Sequence, residues 1–72
     1  MKQSDDDLYH AVAIFIMALG RRLPSQVSTA IAQEMRGTLE QVRRSGGTSV
    51  HRLGTGLVAA LEEGRDSVHP RS

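Results

Sequence analysis

The feature that most constrains the fold is an apolar stretch from Leu8 to Leu19 that covers every face of a helix. Residues 4–7, a serine followed by three aspartates, are typical of a helix start, because a capping side chain and negative charges suit the positive end of the helix dipole. Gly20 and the two arginines after it are typical of a helix end. A strand through Val12 to Met17 is the competing interpretation, since β-branched residues alternate there. No partner strand is visible, so the helix is favoured.

A helix that is apolar on all sides has to be covered on all sides. Seventy-two residues allow one domain, and no cysteine is present to supply a disulfide or a thiolate metal site. We therefore expect the first helix to be central and to be covered partly by a second copy or by another protein. An aspartate in place of Ile14 should abolish folding or assembly, because an unpaired buried carboxylate is costly. The expected interface residues are Leu8, Val12, Ile14, Phe15, Ile16, Met17 and Leu19.

The second helix is predicted over residues 25–44 and has the clearest amphipathic pattern of the chain. Pro24 suits the first helical position and Ser25 a cap. Gly37 lies off the apolar stripe and is expected to be tolerated there. We expect the stripe to face the core, and it consists of Val27, Ile31, Met35, Leu39 and Val42.

The third helix is predicted over residues 49–63, after the break formed by residues 45–47, Ser-Gly-Gly. Gly54 lies beside its apolar stripe, where it would let another backbone approach, and Gly64 is the expected end. Residues 65–72 lack an apolar period and are expected to form a flexible tail. The stripe consists of Val50, Leu53, Leu57 and Leu61.

These patterns predict an all-α domain within residues 1–64. Its three helices lie near residues 4–19, 25–44 and 49–63, and the expected packing is a homodimer or a higher helical assembly.

The net charge of +1 conceals an uneven distribution. Residues 21–52 carry six arginines against two glutamates, whereas the segments before and after them are acidic. We expect the acidic ends to pair with the basic middle of a neighbouring subunit.

Side chains suited to catalysis or to metal binding are sparse. His10 shares a helical face with Asp6 and Asp7, but a third metal ligand is missing, so a helix-stabilising pair is the preferred interpretation. Serines and threonines crowd the helix starts, where capping accounts for them. Three short helices also leave little volume for a pocket of about 300 Å³. We expect neither enzymatic activity nor a cofactor nor a bound metal.

By elimination, the sequence favours a small non-catalytic protein–protein interaction module, acting as a regulator, adaptor or inhibitor of a larger protein. The longest apolar run is too short for the ~20 residues of a membrane span, and aspartates precede it where a signal peptide needs positive charge. We therefore expect a cytoplasmic protein without membrane contact. The alternative is a dimeric DNA-binding regulator resembling a helix-turn-helix protein, with phosphate contacts from Arg21, Arg22, Arg43, Arg44, His51 and Arg52. Nucleic acid is the less favoured partner, because the second helix is long for such a motif and the pI is 8.4.

Overall fold

The structure is a computed structural model that describes residues 5–68. Its elements are three α-helices: α1 spans Asp5–Arg22, α2 spans Ser25–Arg44 and α3 spans Thr48–Val68. The all-helical prediction is confirmed, and the strand alternative for the first segment is wrong. The bounds of α2 agree with the prediction, but Pro24 rather than Ser25 occupies the N-cap position, and no side chain caps this helix end. Both α1 and α3 are longer than predicted. The expected serine cap before α1 and the end of the expected tail lie outside the described residues.

The central helix is α3, so the prediction that the first helix is central is wrong. Both α1 and α2 pack along α3 and make little contact with each other. In α1, Tyr9 lies beside Gly56 and Met17 lies beside Gly64, so α1 and α3 run parallel. In α2, Leu39 lies beside Gly54, and the earlier residue Arg36 contacts the later residue Glu62, so α2 runs antiparallel to α3. The helices form a layer only 16 Å thick.

Gly20 does not end α1 but packs inside it. A β-carbon at Gly20 would overlap the carbonyl oxygen of Leu61 in α3, and one at Gly64 would overlap the carbonyl oxygen of Met17. Because these two residues have no side chains, the backbones of α1 and α3 approach closely at both glycines. Gly20 therefore serves helix packing, and α1 continues past it. The helix ends just before Pro24, because a proline disfavours the helical conformation of the residue that precedes it.

The turn between α2 and α3 is where the sequence placed it. Gly46 has a positive φ of 96°, which a glycine adopts without strain. The N–H of Gly47 donates to the carbonyl of Val42 at 2.9 Å, and the N–H of Gly46 donates to that of Arg43 at 3.0 Å. These two bonds form a Schellman motif, which ends α2 and satisfies its last carbonyl groups.

The core lies between α2 and α3 and is small. Its buried apolar residues include Val58 and Leu61, and the half-buried Ile16 and Met35 pack against it from the two outer helices. From α2, the residues that reach the core are Ser28, Ala32 and Leu39.

The face of α2 that packs on α3 is therefore not the predicted apolar stripe. Ser28 and Ala32 are small, so α2 approaches α3 along their row. The larger Val27 and Ile31 lie at the flank and remain exposed, and the prediction that the whole stripe faces the core is wrong. Gly54 accommodates the side chain of Leu39 rather than another backbone.

The expected tail begins inside α3 rather than after it. Residues 65–68 continue the helix, and Arg65 is buried against α2. Its Nη1 donates to Thr29 Oγ1 at 2.9 Å, and its Nε donates to Asp66 Oδ1 at 2.9 Å. Because the guanidinium has partners on both helices, α3 remains ordered beyond the predicted end at Gly64.

Candidate functional site

A row of four large apolar side chains along α1 is exposed to solvent. Leu8 is 60% exposed, Val12 37%, Phe15 64% and Leu19 39%. Their spacing of four, three and four residues is that of the heptad positions along which helices pair. The row lies beside the residues that contact α3, not among them, so no other described part of the chain covers it.

The other predicted interface residues of α1 point elsewhere. Ile16 and Met17 are half-buried toward α3, with Ile16 against the core. Ile14 is 57% exposed, but at 100° per residue it lies roughly 130° around the helix from the exposed row. A carboxylate at position 14 would thus face solvent within one chain, and the expected cost of burying it does not apply there.

Exposed apolar side chains of α2 and α3 extend the row across the layer. On α2 these are Val27 and Ile31, and on α3 they are Val50 and Leu53. The direction of each side chain follows from the rotation of 100° per residue and from the directions of the helices, with α1 parallel and α2 antiparallel to α3. By this geometry the exposed apolar side chains of all three helices point to the same side of the layer. The half-buried Ile16 and Met35, which cover the core, lie on that side too. We call this surface the apolar face; it consists of Leu8, Val12, Phe15, Leu19, Val27, Ile31, Val50 and Leu53.

Sequence reasoning assigned half of the apolar face to the core. The residues that it missed as surface residues are Val27, Ile31, Val50 and Leu53. One signal for α2 was present in the sequence: the small residues Ser28 and Ala32 lie four apart, next to the large ones. Such a row permits close helix contact and leaves the neighbouring large side chains outside it.

The opposite side of the layer carries paired charges. Arg36 of α2 donates two hydrogen bonds to Glu62 of α3, Nη1 to Oε2 at 2.7 Å and Nη2 to Oε1 at 2.6 Å. This contact lowers the pKa of the Glu62 carboxyl, chiefly through the hydrogen bonds and also through the positive charge of Arg36. The acidic third segment and the basic middle therefore pair here within one chain, in contrast to the expected pairing between subunits.

The carboxylate of Glu40, on α2, binds two arginines of the same helix. Arg43 donates to Glu40 through Nη2 and, at 3.1 Å, through Nε, and the Nε of Arg44 lies 3.4 Å from the same carboxylate. The hydrogen bonds from Arg43 are the main reason that the pKa of Glu40 is lowered. Two of the predicted phosphate contacts thus already have an acidic partner on their own helix.

The predicted phosphate-binding residues lie in two groups at opposite ends of the layer. Arg21 and Arg22 end α1, beside the last turns of α3, whereas His51 and Arg52 belong to the first turn of α3. About 14 residues of helix, or roughly 20 Å, separate the groups. Arg43 and Arg44 lie at the end of α2, with the His51 group.

The geometry of α2 and α3 also differs from that of a helix-turn-helix. Helices in that motif cross at about 90–120°, while α2 and α3 run antiparallel, with contacts from Leu39 beside Gly54 to Thr29 beside Arg65. Together they form an αα-hairpin. DNA binding remains a prediction from the sequence.

On the surface of the described residues, at least four depressions exceed the volume of about 300 Å³ for which the sequence predicted little room, and two of them concern the apolar face and α3. One of about 320 Å³ opens at the α2 side of the apolar face, where Ile31, Met35 and Leu39 line it together with Glu34 and Thr38. The other, of about 630 Å³, is acidic and is lined by residues of α3. The hydroxyl of Ser67 at its edge donates to the carbonyl of Gly64 at 2.8 Å and is thus engaged with the backbone.

Within residues 5–68, no helix combines the length and apolarity needed to cross a membrane. The same part of the chain brings no three histidine or acidic side chains together as metal ligands. Comparisons with protein-family models, with curated proteins and with solved structures find no match.

Proposed function

We propose that the chain is a non-catalytic protein–protein interaction module that self-associates through its apolar face. The observation that carries the proposal is the concentration of eight exposed large apolar side chains on one side of a thin layer. Burying one such side chain removes on the order of 100 Å² from water, so eight half-exposed ones present several hundred Å². This area matches the largest apolar patch on a typical monomer, about 300–600 Å², and such patches are often interaction sites.

The small core supports the same proposal. Only five apolar residues of the described chain are buried, and three of them, Val58, Ala60 and Leu61, belong to α3. A single layer of helices has one apolar side to cover, and a second layer is the usual means of covering it. The other side of the layer carries the ion pair of Arg36 with Glu62, and its charges are suited to water.

A second copy of the chain is the simplest source of the second layer, since symmetric homodimers are the commonest assemblies. The exposed row of α1 also has the spacing by which a helix binds in the groove of a larger protein. In the proposed function, the chain is a cytoplasmic regulator, adaptor or inhibitor. It would release its second copy and bind such a partner through the same row. Self-association is the part of the proposal that the purified chain can test directly.

The test is the mass of the full chain in solution at micromolar concentrations, with two neighbouring substitutions of opposite expected effect. Phe15→Asp places a charge in the middle of the apolar face. Ile14→Asp, the matched control, places the same charge at a similarly exposed position outside it. The wild type and Ile14→Asp should have at least twice the mass of the 7.8 kDa chain, and Phe15→Asp should be monomeric.

The circular dichroism of all three proteins should remain helical, because neither substituted side chain is buried within the chain. A wild type that stays monomeric throughout the micromolar range would overturn the proposed self-association. Equal loss of assembly in both variants would show that the apolar face is not the surface that mediates it.

A further inference from the structure

We infer that the second copy lies face to face with the first, with the two α1 helices antiparallel and Leu8 of each copy opposite Leu19 of the other. This inference rests on the proposed self-association and specifies its geometry. The partner is a second copy of this chain, and the surface is the exposed row of α1 with the rest of the apolar face beside it.

The order of charges along the exposed row favours the antiparallel direction. The first turn of α1 is acidic in sequence, with three consecutive aspartates, and its last turn is basic, with Arg21 and Arg22. Antiparallel pairing puts the acidic end of each α1 beside the basic end of the other. Parallel pairing would put the two acidic ends together and the two basic ends together, and like charges placed side by side oppose association.

The same arrangement turns the apolar faces of the two copies toward each other. The two-fold axis of this pair lies between the two layers and parallel to them. It is perpendicular to α1 at the level between Val12 and Phe15, so that it stacks the layers with their apolar faces together. Each helix then lies over its own counterpart. Ala11 and Ala18, exposed along one flank of the row, are small enough to let the paired α1 helices approach closely.

Disulfide cross-linking tests the direction, because the natural chain has no cysteine. The single variants Leu8→Cys and Leu19→Cys are oxidised separately and as an equimolar mixture. In the antiparallel pair, the two copies of position 8 are about 16 Å apart along the axis, beyond the ~7 Å between α-carbons that a disulfide spans. Neither variant should therefore cross-link alone, whereas the mixture should yield a covalent dimer approaching half of the protein.

Ile14→Cys is the control for non-specific oxidation, since position 14 points away from the row. It should remain uncross-linked in every mixture. Mass measurements before oxidation show that each variant still self-associates.

The outcomes separate the inference from the function on which it rests. Cross-linking of Leu8→Cys with itself would show parallel helices and overturn the inference. A dimeric mass with no cross-linking of the mixture would show that α1 packs on another helix, which also overturns the inference but leaves self-association intact. A monomeric mass would instead overturn the proposed function.

A charge exchange provides a second, independent readout. Arg22→Asp should weaken the pair by roughly two- to thirty-fold at low salt, the range expected from losing two exposed ion pairs. Adding Asp5→Arg to the same chain should restore most of the affinity, because the opposed charges are then exchanged rather than removed. Failure of the second substitution to restore affinity would contradict the antiparallel register.

Discussion

Gly20 of α1 lies against the carbonyl oxygen of Leu61 in α3, so closely that no β-carbon would fit between them. The reciprocal contact, Gly64 against the carbonyl of Met17, lies in the neighbouring turn. These two contacts bring α1 onto α3 through its small residues. Because α1 uses that side for packing, its large residues remain on the adjacent side, and the exposed row follows from the glycine contact.

Replacing Gly20 by alanine should destabilise the fold. The new methyl group would meet backbone rather than a movable side chain, and overpacking of this kind costs about 1–3 kcal/mol. The control is Gly37→Ala on the exposed side of α2, where nothing lies within 4 Å. That variant should gain about 1 kcal/mol, because alanine is the better helix former.

Urea unfolding followed by circular dichroism, at one fixed protein concentration, measures both variants. If Gly20→Ala were stabilised as much as Gly37→Ala, α1 and α3 could not be in the close contact that the structure shows.

The sequence predicted the elements of this fold better than their packing. Local signals were sufficient for α2 and its turn, because Pro24 and Gly46 act on the backbone whatever surrounds them. The prediction that Gly20 ends α1 was wrong, because the sequence does not distinguish a glycine that ends a helix from a glycine that packs against another helix. Only the position of α3 distinguishes the two.

The candidate site was predicted in part for the same reason. An apolar α1 indicates that something must cover it, but its sequence does not say which side α3 occupies. The exposed row containing Phe15 was within the predicted interface, whereas Val27 and Ile31 were assigned to the core. Ser28 and Ala32 decide the packing of α2, and their role becomes visible only when α3 is beside them.

The ion pair between Arg36 and Glu62 predicts how stability depends on pH. The pKa of Glu62 is lowered in the folded chain, so its contribution to stability is fully present above the ordinary glutamate pKa. That contribution is lost as the pH falls through the lowered pKa and the carboxyl becomes protonated. The free energy of unfolding should therefore decrease as the pH drops below about 4.5.

Glu62→Gln should show a smaller decrease over this range than the wild type, because it has no carboxyl at this position to protonate. Glu63→Gln, which alters the adjacent exposed glutamate of α3, is the matched control and should follow the wild type. Identical pH profiles for Glu62→Gln and the wild type would refute a stabilising role for the pair.

The buried Arg65 predicts the effect of removing its acceptor on α2. Thr29→Val keeps the shape of the side chain but leaves the Nη1 group of Arg65 without the hydroxyl that it now contacts at 2.9 Å. Leaving a buried donor unsatisfied costs about 1–3 kcal/mol. Thr38→Val, at an exposed position of the same helix, should change stability by less than about 0.5 kcal/mol.

Chemical unfolding of the two valine variants at matched protein concentration measures this difference. Equal stability of Thr29→Val and Thr38→Val would mean that the guanidinium does not depend on Thr29, and that the end of α3 is held by other contacts.

Replacing Ser28 by alanine should stabilise the fold, whereas most substitutions of buried residues destabilise it. Its side chain is fully buried, and its hydroxyl is the one buried side-chain polar atom in the described residues that has no hydrogen-bond partner. Burying a hydroxyl without a partner costs about 1–3 kcal/mol, and alanine also has the higher helix propensity. The small volume of alanine preserves the close approach of α2 to α3, so Ser28→Ala should raise the free energy of unfolding by about 1 kcal/mol.

Ser49→Ala, at an exposed position in α3, controls for helix propensity alone and should have a smaller effect. A loss of stability in Ser28→Ala would show that the hydroxyl is hydrogen-bonded in solution, and that the contact between α2 and α3 depends on it.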